Sequence, residues 1–371
     1  MRGPDVQPIV IAAGGTGGHF FPAEALAAVL IARGHRVVLM TDVRSGALNS
    51  DVFAGRERYR VRGAGLAGRG AWRAMHGAAG MLVGTWQART ILKSLGAAAL
   101  VGFGGYPSVP PVLAARTLRN RPRVILHEQN AVLGRANLLL SHYADGLALG
   151  VAATRRVPPG IAVHVTGNPV RPAIAALSGR GYVSPGTRIN LLVLGGSLGA
   201  RVFSDVVPEA VAALPASLRN CVCVTQQCRG EDLPRVTSAY ENAGIKAELS
   251  PFFPNVAEKL AAAHLVIARA GASTCAELAV AGRPAILVPL PGAIDDHQAV
   301  NAAALKNVGG AWVIAQREFT AAALTERLTI LLSSPMMLAD AAESAASVGA
   351  PHAADALADM VERAAMAGAA T

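Results

Sequence analysis

Short apolar runs that end in glycine or polar turns alternate with stretches of helical periodicity along almost the whole chain. Ile9-Val10-Ile11-Ala12-Ala13 leads into Gly14-Gly15-Thr16-Gly17-Gly18-His19, and Leu191-Leu192-Val193-Leu194 leads into Gly195-Gly196-Ser197-Leu198-Gly199-Ala200. Each predicts a buried strand, a glycine turn and a helix, a construction that aims backbone N–H groups and a helix N-terminus at an anion. After the first turn, Leu26, Val29 and Leu30 recur at helical spacing and predict a helix over Pro22–Arg33.

The same alternation fills the first half. A strand is expected over 36–40, a basic, glycine-broken stretch over Arg56–Arg73 and a helix over 72–95. A strand at 99–101 runs into the turn Gly102-Phe103-Gly104-Gly105-Tyr106-Pro107 and a helix through Leu118. A strand at 123–127, the turn Glu128-Gln129-Asn130, a helix at 135–141 and strands at 145–149 and 162–165 follow. Gly167-Asn168-Pro169-Val170-Arg171-Pro172 interrupts any regular element and marks a join. Beyond it, strands are expected at 189–194 and near 221–225, 246–249, 265–268 and 285–288, with helices between. Closing helices are expected at about 320–332, 335–347 and 351–367. Regular alternation predicts α/β lobes, each a doubly wound parallel sheet of Rossmann type, facing an interdomain cleft. That arrangement suits a nucleotide-diphosphate donor on one side and a second substrate on the other.

Composition sharpens the picture. The 371 residues are 52% hydrophobic and 16% charged, ample for two cores. No apolar run reaches the ~18 residues of a membrane span, and the N-terminus leads so directly into a strand that no signal peptide is expected. Cys221, Cys223, Cys228 and Cys275 have neither metal-ligand nor disulfide spacing, which fits a reducing compartment. The net charge of +10 is unevenly spread. Residues 1–170 hold 19 Lys and Arg against 7 Asp and Glu, whereas the remainder holds 15 against 17. A field confined to the first lobe points to an anionic partner there, a membrane surface or nucleic acid, unless it merely tracks base composition.

The candidate chemistry lies where strands end. The first loop lacks the Lys-Ser/Thr of a P-loop and is not GxGxxG. His19 opens the following helix, where the dipole favours the neutral imidazole a general base requires; a packing role is the alternative. His127-Glu128-Gln129-Asn130 is expected to project polar groups into the same crevice, and Asn130 suits sugar hydroxyls or an amide. Tyr106 is a lip residue of the cleft or a loop anchor. In the second lobe Ser197 suits a phosphate or an N-cap; Arg171, at the join, suits a diphosphate or is a hinge surface charge. Glu277, three residues past Thr274, is a capping-box partner or a carboxylate for vicinal ribose hydroxyls. Gln298, after Asp295-Asp296-His297, suits hexose hydroxyls. Asp295-Asp296-His297 lacks DxD spacing, and no metal site is expected.

These motifs, in this order, resemble the MurG family of peptidoglycan glycosyltransferases. The blocks that carry the likeness are 14–22, 102–108, 127–130, 166–171, 195–200, Arg269-Ala270-Gly271-Ala272 with Glu277, and His297-Gln298 with Asn301. The resemblance implies a GT-B fold. It implies residues 1–167 as an acceptor- and membrane-facing domain, joined by the C-terminal helix (about 351–367), and residues 168–350 as the UDP-sugar domain. It implies inverting transfer of N-acetylglucosamine from its UDP donor to the 4-hydroxyl of N-acetylmuramyl-pentapeptide-pyrophosphoryl-undecaprenol, converting lipid I to lipid II in cell-wall synthesis. The place would be the cytoplasmic face of the inner membrane, as a peripheral protein. Its partners would be the UDP-sugar, lipid I, the anionic membrane surface and, further out, other cell-wall and division proteins, without nucleic acid and without a cofactor. Carried over by position, Thr16, Gly17, Gly18, Asn130, Arg171, Ser197 and Gln298 would contact the donor, Glu277 the ribose and the Phe253 backbone the uracil, with His19 activating the acceptor. Leu198 stands where the family commonly has glutamine, and His297 where it commonly has the first of two glutamines; contacts from those side chains are lost. Trp72, Met75, Met81, Leu82 and Trp86, with Arg69, Arg73, Arg89 and Lys93, would form the membrane-facing patch or pack in a core. A nicotinamide oxidoreductase lacks its fingerprint here, a nucleic-acid binder its recognition motif, and an epimerase would act on the donor alone.

Overall fold

In the computed structural model, residues 7–14, 17–42, 50–62, 71–196 and 199–369 are described, with the backbone alone at 71–78, 294 and 369. The chain divides into two compact units, 1–171 with 352–371, and 172–351.

In the first unit the described order is β1 (Ile9–Ala12), α1 (Gly17–Ala32), β2 (Val37–Asp42), β3 (Arg58–Val61), α2 (Ala71–Leu95) and β4 (Ala99–Gly102). There follow α3 (Gly105–Arg116), β5 (Arg123–Glu128), α4 (Arg135–Leu140), β6 (Gly146–Leu149) and β7 (Val163–Val165). The strands form one parallel sheet in the order β3-β2-β1-β4-β5-β6-β7. Strand order reverses between β1 and β4, and their carboxyl ends border the crevice where α/β sheets take ligands. Side chains of β1 are buried on both faces. Ile9 and Ile11 join α1 in one core, while Val10 and Ala12 join α2, α3 and α4 in the other. Gly84 lets α2 approach β3 closely, because a Cβ there would stand 1.9 Å from Arg62 O.

The second unit runs α5 (Pro172–Ala175), β8 (Ile189–Leu194), α6 (Arg201–Ala212), α7 (Ala216–Arg219), β9 (Val222–Gln227), α8 (Leu233–Asn242) and β10 (Lys246–Ser250). It continues with α9 (Val256–Ala262), β11 (Leu265–Ala268), α10 (Ala272–Ala281), β12 (Ala285–Leu287), α11 (His297–Asn307), β13 (Ala311–Val313), α12 (Ala321–Leu332) and α13 (Pro335–Ala346). Its parallel sheet has the order β10-β9-β8-β11-β12-β13, reversing between β8 and β11.

The last helix, α14 (Ala353–Ala369), belongs to the first unit. Leu357, Ala358 and Val361 enter the β1–α1 core. At its rim Arg33 pairs with Asp355, Asp359 and Glu362, and His35 with Glu362.

Three expectations are corrected. The first helix starts at Gly17 and contains Pro22 in its second turn, so the proline does not mark its start. Arg58–Val61, read as part of a broken basic stretch, is edge strand β3, its arginines on the exposed side. Ala311–Val313 is edge strand β13, too short to stand out as a strand in the sequence.

Candidate functional site

In the first unit the reversal of strand order brings the turn after β1 beside the turn after β4. Phe103 N donates to Ala12 O at 3.1 Å, and Ser108 Oγ donates to both Ala12 O and Gly104 O. Gly104 and Gly105 take φ of +78° and +65°, open to glycine at little cost. α3 therefore begins inside the third glycine turn, and Tyr106 sits in its first turn, partly exposed.

His19 is the third residue of α1 and half-buried. Its Nδ1 lies 2.9 Å from Phe103 O and 3.2 Å from Gln129 Oε1, and Gln129 Nε2 donates to Phe103 O at 3.0 Å. Residues from three strand ends thus meet at one carbonyl.

The expectation that residues 127–130 all project into the crevice is corrected. His127, Glu128 and Gln129 are buried, and Asn130 alone is half-exposed. His127 donates from Nε2 to Gly167 O, while its Nδ1 has no partner. Burial pushes its pKa down to about 4, outweighing the Gly167 carbonyl and the Glu128 carboxylate, so it is neutral near pH 7. Glu128 works as a clamp on its own turn. Its carboxylate accepts from Asn130 N, Asn130 Nδ2, Gly134 N and Asn137 Nδ2, which fixes the Asn130 amide. A satisfied buried carboxylate of this kind is structural, and its signal in sequence was masked by three polar neighbours.

Gly17 and Gly18 form the first turn of α1, and Thr16 lies outside the described residues. Arg171 is half-buried, with its guanidinium stacked on Phe21 of α1.

In the second unit the turn after β8 is built on glycine. A Cβ on Gly195 would stand 2.5 Å from Ala200 N, and Gly196 and Gly199 have φ of +80° and +68°. The turn opens α6 without a side-chain cap. Gln227, at the end of β9, accepts from Gly195 N and donates to Gly196 O and Pro251 O. Nothing in the sequence had singled out Gln227 beyond its being a polar residue ending a strand. Ser197 and Leu198 lie outside the described residues.

After β11, α10 begins at Ala272 with Gly271 as its N-cap. Thr274 is then the third helical residue and Glu277 the sixth, so the capping-box alternative for Glu277 is excluded. Glu277 is buried. Arg269 ties strand ends together, donating to Val288 O, Pro289 O and Gln316 Oε1. Ahead of α11, Asp295 and Asp296 both have positive φ, 54° and 53°. Consecutive non-glycine residues in the left-handed region are strained, a feature that concentrates at ligand sites. They aim the first turn of α11, where Gln298 Oε1 accepts from Leu290 N at 3.0 Å and orients the amide. Asn301 is buried and donates to Ala270 O. The Phe253 side chain is buried, with Lys259 Nζ 5.8 Å from its ring centroid.

On α2, Leu82 (73% exposed) and Trp86 (68%) face outward beside exposed Arg89, while Ala88 and Leu92 are buried on the opposite side. Met81 packs against the core, which removes it from the expected outward patch. Arg69 lies outside the described residues, as do the side chains of Trp72, Arg73 and Met75. Among the described residues no helix is long and apolar enough to cross a membrane.

Both halves of the chain match one enzyme family. Residues 9–149 match the glycosyltransferase family 28 N-terminal domain and residues 190–357 its C-terminal domain. The UDP-N-acetylglucosamine–N-acetylmuramyl-(pentapeptide) pyrophosphoryl-undecaprenol N-acetylglucosamine transferase of Granulibacter bethesdensis is 59% identical over 366 residues, covering 98% of this chain and 95% of its own. The Gluconobacter oxydans protein of the same name is 54% identical, covering 96% and 99%. The crystal structure of Acinetobacter baumannii MurG superposes with a TM-score of 0.76 at 29% identity, covering 96% of this chain and 99% of that one. With its two parallel α/β units of GT-B type, the chain belongs to the MurG family of glycosyltransferases.

Proposed function

We propose that this protein transfers N-acetylglucosamine from UDP-N-acetylglucosamine to the 4-hydroxyl of undecaprenyl-pyrophosphoryl N-acetylmuramyl-pentapeptide, with inversion, as members of its family do. The observation that carries the residue-level reading is His19 at the meeting point of three strand ends, tethered through Nδ1 to Phe103 O. An imidazole anchored by one nitrogen presents the other to a substrate hydroxyl. As the acceptor oxygen attacks the anomeric carbon, His19 Nε2 takes its proton, the bond from that carbon to the diphosphate oxygen breaks, and UDP departs.

Negative charge then grows on the diphosphate. The N-terminal turn of α6 with Ser197, and Arg171, are suited to stabilise it. Thr16, Gly17, Gly18 and Asn130 complete the donor contacts of the first unit. In the second unit Glu277 accepts from the ribose hydroxyls, the Phe253 backbone meets uracil, and the Gln298 amide reads the hexose. Residues 1–167 with the C-terminal helix serve the acceptor, and residues 168–350 the UDP-sugar. The basic first half and the apolar side of α2 hold the protein peripherally on the anionic cytoplasmic surface where a lipid-linked acceptor resides.

The test is UDP release from UDP-N-acetylglucosamine with and without a lipid I analogue. Release that requires the acceptor, and that falls by about 100-fold or more in kcat for His19→Ala, supports the reading. Turnover of the donor alone, or a kcat untouched by His19→Ala, overturns it.

A further inference from the structure

We infer that Gln129 is a positioning residue that, together with the Phe103 carbonyl, holds the His19 proton on Nδ1. This rests on His19 acting as the base, and it explains how that base is kept in a usable form.

Two groups stand against His19 Nδ1, Phe103 O at 2.9 Å and the Gln129 side-chain amide at 3.2 Å. A carbonyl oxygen can only accept. The amide orientation follows from its other contact, because Gln129 Nε2 donates to the same Phe103 carbonyl at 3.0 Å. Turned over, the amide would set Oε1 against Phe103 O, acceptor against acceptor. Gln129 therefore faces His19 with Oε1, and both neighbours of Nδ1 are acceptors. Nδ1 must carry the hydrogen. A neutral imidazole has only one N–H, so Nε2 is left bare, which is the form able to take a proton. Free imidazole side chains prefer the opposite tautomer, so the triangle reverses an intrinsic preference.

The surroundings fit this role. Gln129 is almost fully buried, and its turn is held by the Glu128 carboxylate and by Gly150 N donating to Glu128 O. Gly105 lies beside the other edge of the ring. A Cβ there would come 3.6 Å from His19 Cδ2 and 3.7 Å from Nε2, so the missing side chain keeps approach to Nε2 open. Gln129 touches neither donor nor acceptor in this scheme. It acts through His19.

Long-range 1H–15N correlation spectra of the full-length protein labelled at histidine, with His19→Gln for assignment, read the tautomer directly. The expected wild-type signature is protonated Nδ1. Gln129→Leu should leave Phe103 O as the single acceptor at Nδ1, weaken the hold on that tautomer and lower kcat about 10- to 100-fold, the range for orienting partners, with the UDP-N-acetylglucosamine KM within about twofold. Gln129→Glu keeps an acceptor opposite Nδ1 but loses the donor to Phe103 O, so it should keep the wild-type tautomer and recover only part of kcat. A wild-type His19 protonated on Nε2, or a folded Gln129→Leu protein with wild-type kcat, overturns the inference. If His19→Ala itself retains kcat, the base reading fails instead, and Gln129 loses this role with it. If Gln129→Leu does not fold, Gln129→Met, of similar length and without the amide, takes its place.

Discussion

The guanidinium carbon of Arg171 stands 4.9 Å from the centroid of the Phe21 ring. The same ring covers Gly17, where an added Cβ would fall 2.7 Å from Phe21 Cε2. One aromatic side chain thus couples the cation at the end of the first unit to the opening turn of α1. Stacking of this kind contributes about 0.5–1 kcal/mol at a partly exposed site. Charge-assisted contacts to phosphate oxygens contribute about 1.5–3 kcal/mol.

Arg171→Ala should therefore raise the KM for UDP-N-acetylglucosamine by about tenfold or more, and Phe21→Leu by a few-fold. Arg171→Lys should behave closer to alanine than to wild type, since an ammonium neither forks nor stacks as well. Steady-state kinetics at saturating acceptor decides. Wild-type KM in Arg171→Ala would remove the residue from donor binding.

Gly195→Ala should destabilise the second unit by about 2 kcal/mol or more, because the added Cβ meets backbone at Ala200 N, which has no rotamer to change. Gln227→Ala should cost a similar amount, about 1 kcal/mol for each of the two hydrogen bonds lost from the loop. Calorimetric melting with and without UDP measures both. A Gly195→Ala protein melting like wild type would mean the turn can open at no cost.

His127 makes the first unit acid-sensitive. Its folded pKa is lowered to about 4 by burial, against about 6.5 for an unfolded chain. Between those values the unfolded state binds more protons, so stability rises with pH. The contribution is whole above about pH 6.5 and is lost as pH falls through 4, about 3 kcal/mol across the window. Chemical denaturation at pH 7.5 and 4.5 should show a smaller difference for His127→Gln than for wild type. An equal difference would assign the window to other groups.

The outward side of α2 should govern membrane binding. Leu82→Ser with Trp86→Ser should weaken association with vesicles containing anionic lipid, and salt should weaken the wild-type association further through screening of the basic first half. Sedimentation with vesicles of anionic and of neutral lipid separates the contributions. Equal binding to neutral vesicles at high salt would rule out the electrostatic part.

Local sequence determined most of the architecture. Burial of β1, β4 and β8 leaves a continuous apolar run in each, and the glycines after β4 and β8 are demanded by close backbone approach at Gly195 and by positive φ at Gly104, Gly196 and Gly199. Such signals sit within a few residues of one another, so the run and its turn could be read together. The helix positions failed where the cue was local but ambiguous, as at Pro22, and the strands failed where they lie at sheet edges and are short, as at Arg58–Val61 and Ala311–Val313.

Only the tertiary structure decided what polar residues do. His127, Glu128, Gln129 and Asn130 look alike as a string, yet the first is sealed and neutral, the second clamps its turn, the third faces His19 and the fourth is half-exposed. Helical periodicity could not say where α14 packs, because an apolar stripe does not name its partner; Arg33 and the β1–α1 core do. The physical reason is common to both. Strand, turn and helix propensities are properties of neighbours in sequence, whereas hydrogen-bond partners, burial and tautomer belong to groups brought together across 84 and 110 residues, as His19 is with Phe103 and Gln129.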